Sequence, residues 1–135
     1  MVIRKAKKND ISQIISLAAK YNLDYEGMEA DDFWVATEGT QTVGICGLRK
    51  HPDCQELCSL GVEEAFRQKG LGSQLVKSLL QDTNGAIYLA TVIPEFFAKL
   101  GFKKASTIPS SMIKKAEWCA GCNQDRCTIM LRKRE

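Results

Sequence analysis

Glu56-Leu57-Cys58-Ser59-Leu60-Gly61-Val62, followed four residues on by Arg67-Gln68-Lys69-Gly70-Leu71-Gly72, is the stretch on which the fold turns. The first segment reads as a β-strand. Beyond the second, Leu71, Leu75, Val76, Leu79 and Leu80 recur at helical spacing and form one apolar face. A glycine-rich turn that leads from a strand into a helix offers free backbone N–H groups and the positive end of a helix dipole, and both suit phosphate oxygens. Gly70 and Gly72 carry no Cβ, so a ligand can lie against the main chain. Arg67 and Lys69 add positive charge at the rim. The stretch has the makings of a pyrophosphate cradle.

The spacing excludes two common phosphate loops. A mononucleotide loop needs G-x-x-x-x-G-K-[ST], whereas Lys69 precedes its glycine; a dinucleotide fingerprint needs a third glycine beyond Gly70-x-Gly72. The plainer alternative is a helix opened by two glycines beside a solvated charge cluster. R-x-x-G-x-G after a strand ending in Leu60-Gly61-Val62 resembles the acyl-CoA loop of the GNAT N-acetyltransferase superfamily.

Composition narrows the classes. A chain of 135 residues, 44% hydrophobic and 26% charged, is sized for one domain, residues 1–135. A net charge of +3 helps an anionic cofactor approach but is too small to argue nucleic-acid binding. The N-terminus is charged within four residues, unlike a signal peptide. No apolar run nears the roughly 18 residues that span a bilayer. The expectation is a soluble cytoplasmic protein with no membrane or nucleic-acid partner. Without a secretory signal, the six cysteines point away from a disulfide framework and towards metal, redox chemistry or burial.

Taken in order, Val2 to Ala6 reads as a strand. Asn9 or Asp10 caps a helix with Ile11, Ile14, Ile15 and Ala18 on one face, and Asp10 with Gln13 suggests a capping box. The acidic segment from Tyr21 to Asp32 suggests a short helix and a loop. Phe33 to Thr37 and Gln41 to Leu48 flank Glu38-Gly39-Thr40 as a hairpin. After the long helix, Asn84-Gly85 is a stop, and Ala86 to Val92 predicts a strand buried on both faces. Pro94 opens a short helix through Leu100, ended by Gly101. A helix from Pro109 to Glu117 and a strand from Cys127 to Arg132 close the chain. This is α+β with a mixed, mainly antiparallel sheet.

That order is similar to the GNAT order over nearly the whole chain, and Pro94-Glu95-Phe96-Phe97-Ala98-Lys99-Leu100-Gly101-Phe102 resembles the family's segment beside the cofactor arm. The resemblance implies a GNAT-like three-layer domain whose central sheet splays at the cofactor site. Acetyl-CoA would be the co-substrate. Leu60, Gly61 and Val62 would contact its arm; Arg67, Gln68, Lys69, Gly70, Leu71, Gly72 and Ser73 its phosphates; and Phe97 would lie alongside. It implies an acyltransferase that moves an acetyl group to the amine of a small molecule or amino acid by direct attack on the thioester. A backbone N–H near Leu60 would serve the oxyanion. The alternative is a non-catalytic acyl-CoA-binding or sensing module. A homodimer is compatible with either.

Glu56, eleven residues before Arg67 (67 − 56), matches the offset of the family's general-base glutamate. With regular alternation it would share a strand side with Cys58, Leu60 and Val62. The plain alternative is a surface carboxylate at a strand start. Many family members protonate the leaving thiolate with a tyrosine where this chain has Phe97, which cannot donate; Tyr88 and Ser59 are weaker donors to consider. The likeness is greatest to short N-acetylglutamate synthase-type enzymes, through Leu89-Ala90-Thr91 and the Phe96-Phe97 segment. Those enzymes hold carboxylates with arginines where this chain has Asp24, Glu26, Glu29, Asp31 and Asp32, which would attract a cationic amine. Cys119-x-x-Cys122 and Cys127 have the close spacing of a zinc or iron site but lack a fourth ligand nearby, so no metal site is assigned.

Overall fold

The computed structural model describes residues 1–112 and 128–133. They form two compact units: Met1–Leu48 with Cys58–Thr83, and Arg49–Leu57 with the described residues from Asn84 onward. The elements are β1 (Val2–Lys5), α1 (Ile11–Lys20), β2 (Phe33–Glu38), β3 (Gln41–Lys50), β4 (Gln55–Val62), α2 (Leu71–Gln81), β5 (Ile87–Thr91), α3 (Pro94–Ala98), β6 (Lys103–Lys104) and β7 (Thr128–Arg132). The chain of β4 runs out of the second unit into the first.

In the first unit the strands follow the order β1-β2-β3-β4. β1 and β2 pair antiparallel, as do β2 and β3, where Glu38 faces Gln41 across the tight Gly39-Thr40 turn. Gly39 takes φ 61°, the left-handed conformation such a turn demands. Helix α2 buries Leu71, Leu75, Val76, Leu79 and Leu80, the five residues of the face read from the sequence. Each fully buried side chain of this kind contributes about 1.5–3 kcal/mol. Gly44 on β3 makes room for the helix, since a Cβ there would stand 2.9 Å from Leu75 Cδ1.

Helix α1 departs from the expected pattern. Ile14, Leu17 and Ala18 are buried, while Ile15 is exposed. The expected capping box does not form. Asp10 instead accepts the N–H of Lys7 at 2.7 Å and both guanidinium nitrogens of Arg4, at 2.7 and 3.1 Å. Gln13 reaches the hairpin, donating to Thr40 O at 3.0 Å and accepting from Thr42 N at 2.8 Å. The segment from Tyr21 to Asp32 holds a three-residue 3-10 turn, Ala30–Asp32, in place of an α-helix. Leu23, Tyr25 and Met28 anchor it against the core of Ile14, Leu17, Phe33, Val35 and Ile45.

In the second unit the order is β4-β5-β7-β6, with β7 antiparallel to both neighbours. β5 runs parallel to β4, paired through Glu56 and Tyr88. β5 was expected to be buried on both faces; it alternates, with Ile87, Leu89 and Thr91 buried and Tyr88 and Ala90 half-buried. The mixed, mainly antiparallel arrangement is the one expected. Ser110–Met112 are helical; the rest of the expected helix, and Cys119, Cys122 and Cys127, lie outside the described residues.

Candidate active site

The turn before α2 has a backbone built for anions. Gln68 and Gly70 both take left-handed φ values, 66° and 75°, on either side of Lys69. Such alternation turns successive N–H groups towards one concavity. Among the described residues, the N–H groups of Gln68, Lys69, Gly70, Leu71, Gly72 and Ser73 have no protein acceptor; the first amide of α2 to find one is Gln74, on Gly70 O at 3.1 Å. A Cβ on Gly70 would meet nothing within 4 Å, so its approach side is open. A non-glycine residue at positive φ is strained, and such strain gathers at ligand sites. A diphosphate suits this turn: its oxygens are acceptors only, and the turn offers them a run of free amide donors.

Arg67 is held in place beside the turn. Its Nε donates to Val62 O at 2.9 Å, and its guanidinium lies 4.6 Å from the centre of the Tyr21 ring. The Tyr21 hydroxyl donates to Glu63 Oε1 at 3.3 Å and accepts from Glu64 N at 3.2 Å. Glu63 also binds Lys20 Nζ at 3.0 Å, which holds that ammonium above its ordinary range. Tyr21 was not among the residues singled out from sequence; only its place at the end of an amphipathic helix hinted at it. Lys69 Nζ stands 5.7 Å from the Phe66 ring centre.

Strand β4 corrects the expected alternation. Ser59 takes φ 53°, a left-handed residue within the strand, so Glu56 and Cys58 precede a break that Leu60 and Val62 follow. The Ser59 hydroxyl donates to Leu23 O at 2.7 Å, which leaves it engaged. Leu60 and Val62 are half-buried. A Cβ on Gly61 would come within 2.8 Å of Leu23 Cδ1, so the tip of that side chain would have to shift.

Glu56 is not a surface carboxylate. It is 1% exposed, and its Oε1 lies 2.9 Å from Nε2 of His51, whose side chain is 16% exposed. The turn that brings them together is closed by His51 N donating to Cys54 O at 2.8 Å, and Asp53 within it is held by Ser111, hydroxyl at 2.6 Å and N–H at 3.1 Å. Those bonds from Ser111 keep Asp53 below the usual carboxylate range. Burial, with the nearby charges of Asp53 and Glu56, pushes the Cys54 thiol up to about 11, so it is no nucleophile at neutral pH. His51 is the chain's one histidine, five residues before Glu56 (56 − 51), and that proximity was the signal available for the pair.

Phe97 is 5% exposed and packs edge-on against Phe96 at 4.9 Å and Phe102 at 5.8 Å between ring centres. Its place is in the aromatic core of the second unit. In the first unit, an open hollow of about 270 Å³ is lined by Lys8, Ile11, Met28, Glu29, Ala30 and Asp31, where two acidic residues of the loop after α1 meet a lysine. Among the described residues no cluster of histidine, cysteine or acidic side chains is placed to hold a metal, and no helix is long and apolar enough to cross a membrane.

Residues 29–104 match the sequence model of the acetyltransferase (GNAT) domain, and the chain belongs to that family. An uncharacterised N-acetyltransferase of Chlorobaculum tepidum is 32% identical over 78 residues, 54% of this chain and 50% of that protein. The chain thus spans half the length of that relative. Among solved structures, a Mycobacterium tuberculosis protein crystallised with CoA shares the fold at a TM-score of 0.78, 22% identity and full coverage of both chains. N-acetylglutamate synthase of Neisseria gonorrhoeae, crystallised with coenzyme A and N-acetyl-glutamate, aligns over 98% of this chain and 34% of its own at a TM-score of 0.76 and 19% identity.

Proposed function

We propose that residues 1–135 work as a single acetyl-CoA-dependent N-acetyltransferase domain that acetylates the amine of a small molecule or an amino acid. The observation that carries the reading is the run of donor-only amides from Gln68 to Ser73 at the mouth of α2, in a chain of the GNAT family. Those amides hold the pyrophosphate, with Arg67 and Lys69 as flanking cations. Leu60, Gly61 and Val62 accept the pantetheine arm along β4, and Phe97 is a further cofactor contact in this reading. Acetyl-CoA, when bound, supplies a thioester carbonyl open to attack.

Most aliphatic amines are protonated at neutral pH and carry no free lone pair. Glu56 removes one proton, and the neutral amine attacks the carbonyl. A backbone N–H near Leu60 stabilises the oxyanion. With phenylalanine at position 97, the sulfur leaves as thiolate; a thiol is acidic enough for its anion to be an acceptable leaving group without a protein acid. Phe97 also favours the rival reading, an acyl-CoA-binding module that has lost the chemistry.

Release of free CoA from acetyl-CoA across a panel of amines separates the two. Turnover that depends on one amine class supports the enzyme. Saturable CoA binding without turnover on any amine would establish the binding module instead. Within an active panel, Glu56→Gln is expected to lower kcat at neutral pH by about a hundredfold or more. The affinity for CoA should stay near wild type, and the rate should recover at alkaline pH, where the amine loses its proton unaided. A rate profile like that of wild type would remove Glu56 from the mechanism.

A further inference from the structure

We propose that His51 is the positioning residue that makes Glu56 an effective base, an inference that rests on the transferase reading above. A carboxylate 1% exposed is costly to keep ionised unless a donor compensates it. The imidazole is that donor: Nε2 lies 2.9 Å from Oε1 and the two belong to one short turn and strand start. The turn is fixed from its backbone by the His51 N–H to Cys54 O bond, so the ring is delivered to the carboxylate by main-chain geometry rather than by chance rotamer choice.

Three described groups lie near the pair. Cys54 is near enough to feel the Glu56 charge, but its thiol, pushed up to about 11, stays neutral across the working range. Asp53 is turned to Ser111, and Tyr88 stands opposite Glu56 in the β4–β5 register. Neither Cys54 nor Asp53 supplies a cation to the carboxylate. With Nε2–H donating to Oε1, the carboxylate is held in one orientation. It accepts one proton from the ammonium form of the acceptor, which frees the lone pair that attacks. After acyl transfer the carboxyl gives that proton back to water, and His51, whose ring is partly exposed, marks the route by which the buried group reaches solvent. Over one cycle the pair gains one proton and loses one; the nitrogen's second proton leaves as the tetrahedral intermediate collapses and passes through water to the departing thiolate, so no other reactant is needed.

The test compares His51→Leu, which removes the donor, with His51→Gln, which keeps an N–H near the Nε2 position. His51→Leu should lower kcat by about tenfold or more at neutral pH. That loss should shrink as the pH rises and the amine deprotonates, while the KM for acetyl-CoA holds. His51→Gln should recover most of the rate. Glu56→Gln is run beside them: if it keeps full rate, the base reading itself fails; if it loses rate while His51→Leu does not, only the role of His51 fails. A His51→Leu loss that is equal at every pH, or that comes with weaker CoA binding, makes the histidine merely structural and overturns the proposal. Because the chain has one histidine, long-range 15N spectra of the unaltered protein report its tautomer without assignment. A ring protonated at Nε2 and altered by Glu56→Gln is expected, and an Nε2 without a proton at neutral pH overturns the proposal even if no variant folds.

Discussion

Gly47 and Glu56 show how differently a single residue can matter here. A Cβ at Gly47 would stand 2.9 Å from Phe33 Cε2, 3.0 Å from its Cζ and 3.3 Å from the carbonyl of Cys58. Neither the buried Phe33 ring nor a backbone carbonyl can yield cheaply. Gly47→Ala should therefore destabilise the fold by about 1–3 kcal/mol, the usual cost of overpacking, as read by urea denaturation at unchanged m-value. Gly70 is the opposite case. It has open space where a Cβ would be and a φ of 75°, so its substitution costs backbone strain but meets no wall. Any loss of CoA binding beyond that strain then belongs to the ligand's approach. Glu56 differs again, because it is a carboxylate among the largest fully buried side chains. The role proposed for it is chemical, so the rate, rather than stability, is its proper readout.

Helix α1 carries the acid sensitivity of the first unit. The Arg4 guanidinium, aided by the Lys7 N–H, holds the Asp10 carboxyl below its ordinary range despite burial. A carboxylate depressed in the folded state stabilises the fold fully above its unfolded value, near 3.9, and loses that contribution as pH falls through the lower folded value. Asp10→Ala should cost about 1–3 kcal/mol at neutral pH, and the gap between wild type and variant should close below about pH 4. A gap that persists at low pH would mean the loss is one of packing. The same helix marks what periodicity can and cannot reveal. The face of α2 was legible because five leucines and valines at helical spacing leave one solution. In α1, Ile15 and Leu17 compete for one stripe, and only the position of Phe33 and Val35 beneath the helix decides for Leu17. Asp10 with Gln13 has capping-box spacing, yet a guanidinium six residues upstream and a hairpin turn were stronger partners, and neither is local to the helix. The left-handed Ser59 depends on tertiary support, its hydroxyl held by Leu23 O, so no spacing rule announces it; the pairing of His51 with Glu56 had only their nearness in sequence to suggest it. The donor-rich turn was legible because its requirements, two glycines and a following helix, are local.

At the scale of the whole molecule, cofactor binding and catalysis can be separated by stability alone. Whatever binds the folded chain and not the unfolded one adds RT ln(1 + [L]/Kd), about 2.7 kcal/mol at a hundredfold excess over Kd. For a chain of this length that corresponds to a rise in Tm of about 5–15 °C. CoA should produce such a rise in wild type and equally in Glu56→Gln, since the role proposed for the carboxylate is towards the amine and not the phosphates. Gly70→Val should lose most of the rise, because a β-branched residue is unsuited to the left-handed backbone at that turn and its side chain occupies the open approach to the amides. The shift should also shrink as salt rises, because Arg67 and Lys69 are exposed and their attraction to a diphosphate is screened. Dephospho-CoA should keep most of the effect, since the pyrophosphate is what the six amides are expected to grip. Pantetheine, which has no pyrophosphate, should lose it. Equal stabilisation by pantetheine and by CoA would mean that the turn before α2 is a helix start and nothing more, and the cofactor would then have to be held by β4 alone.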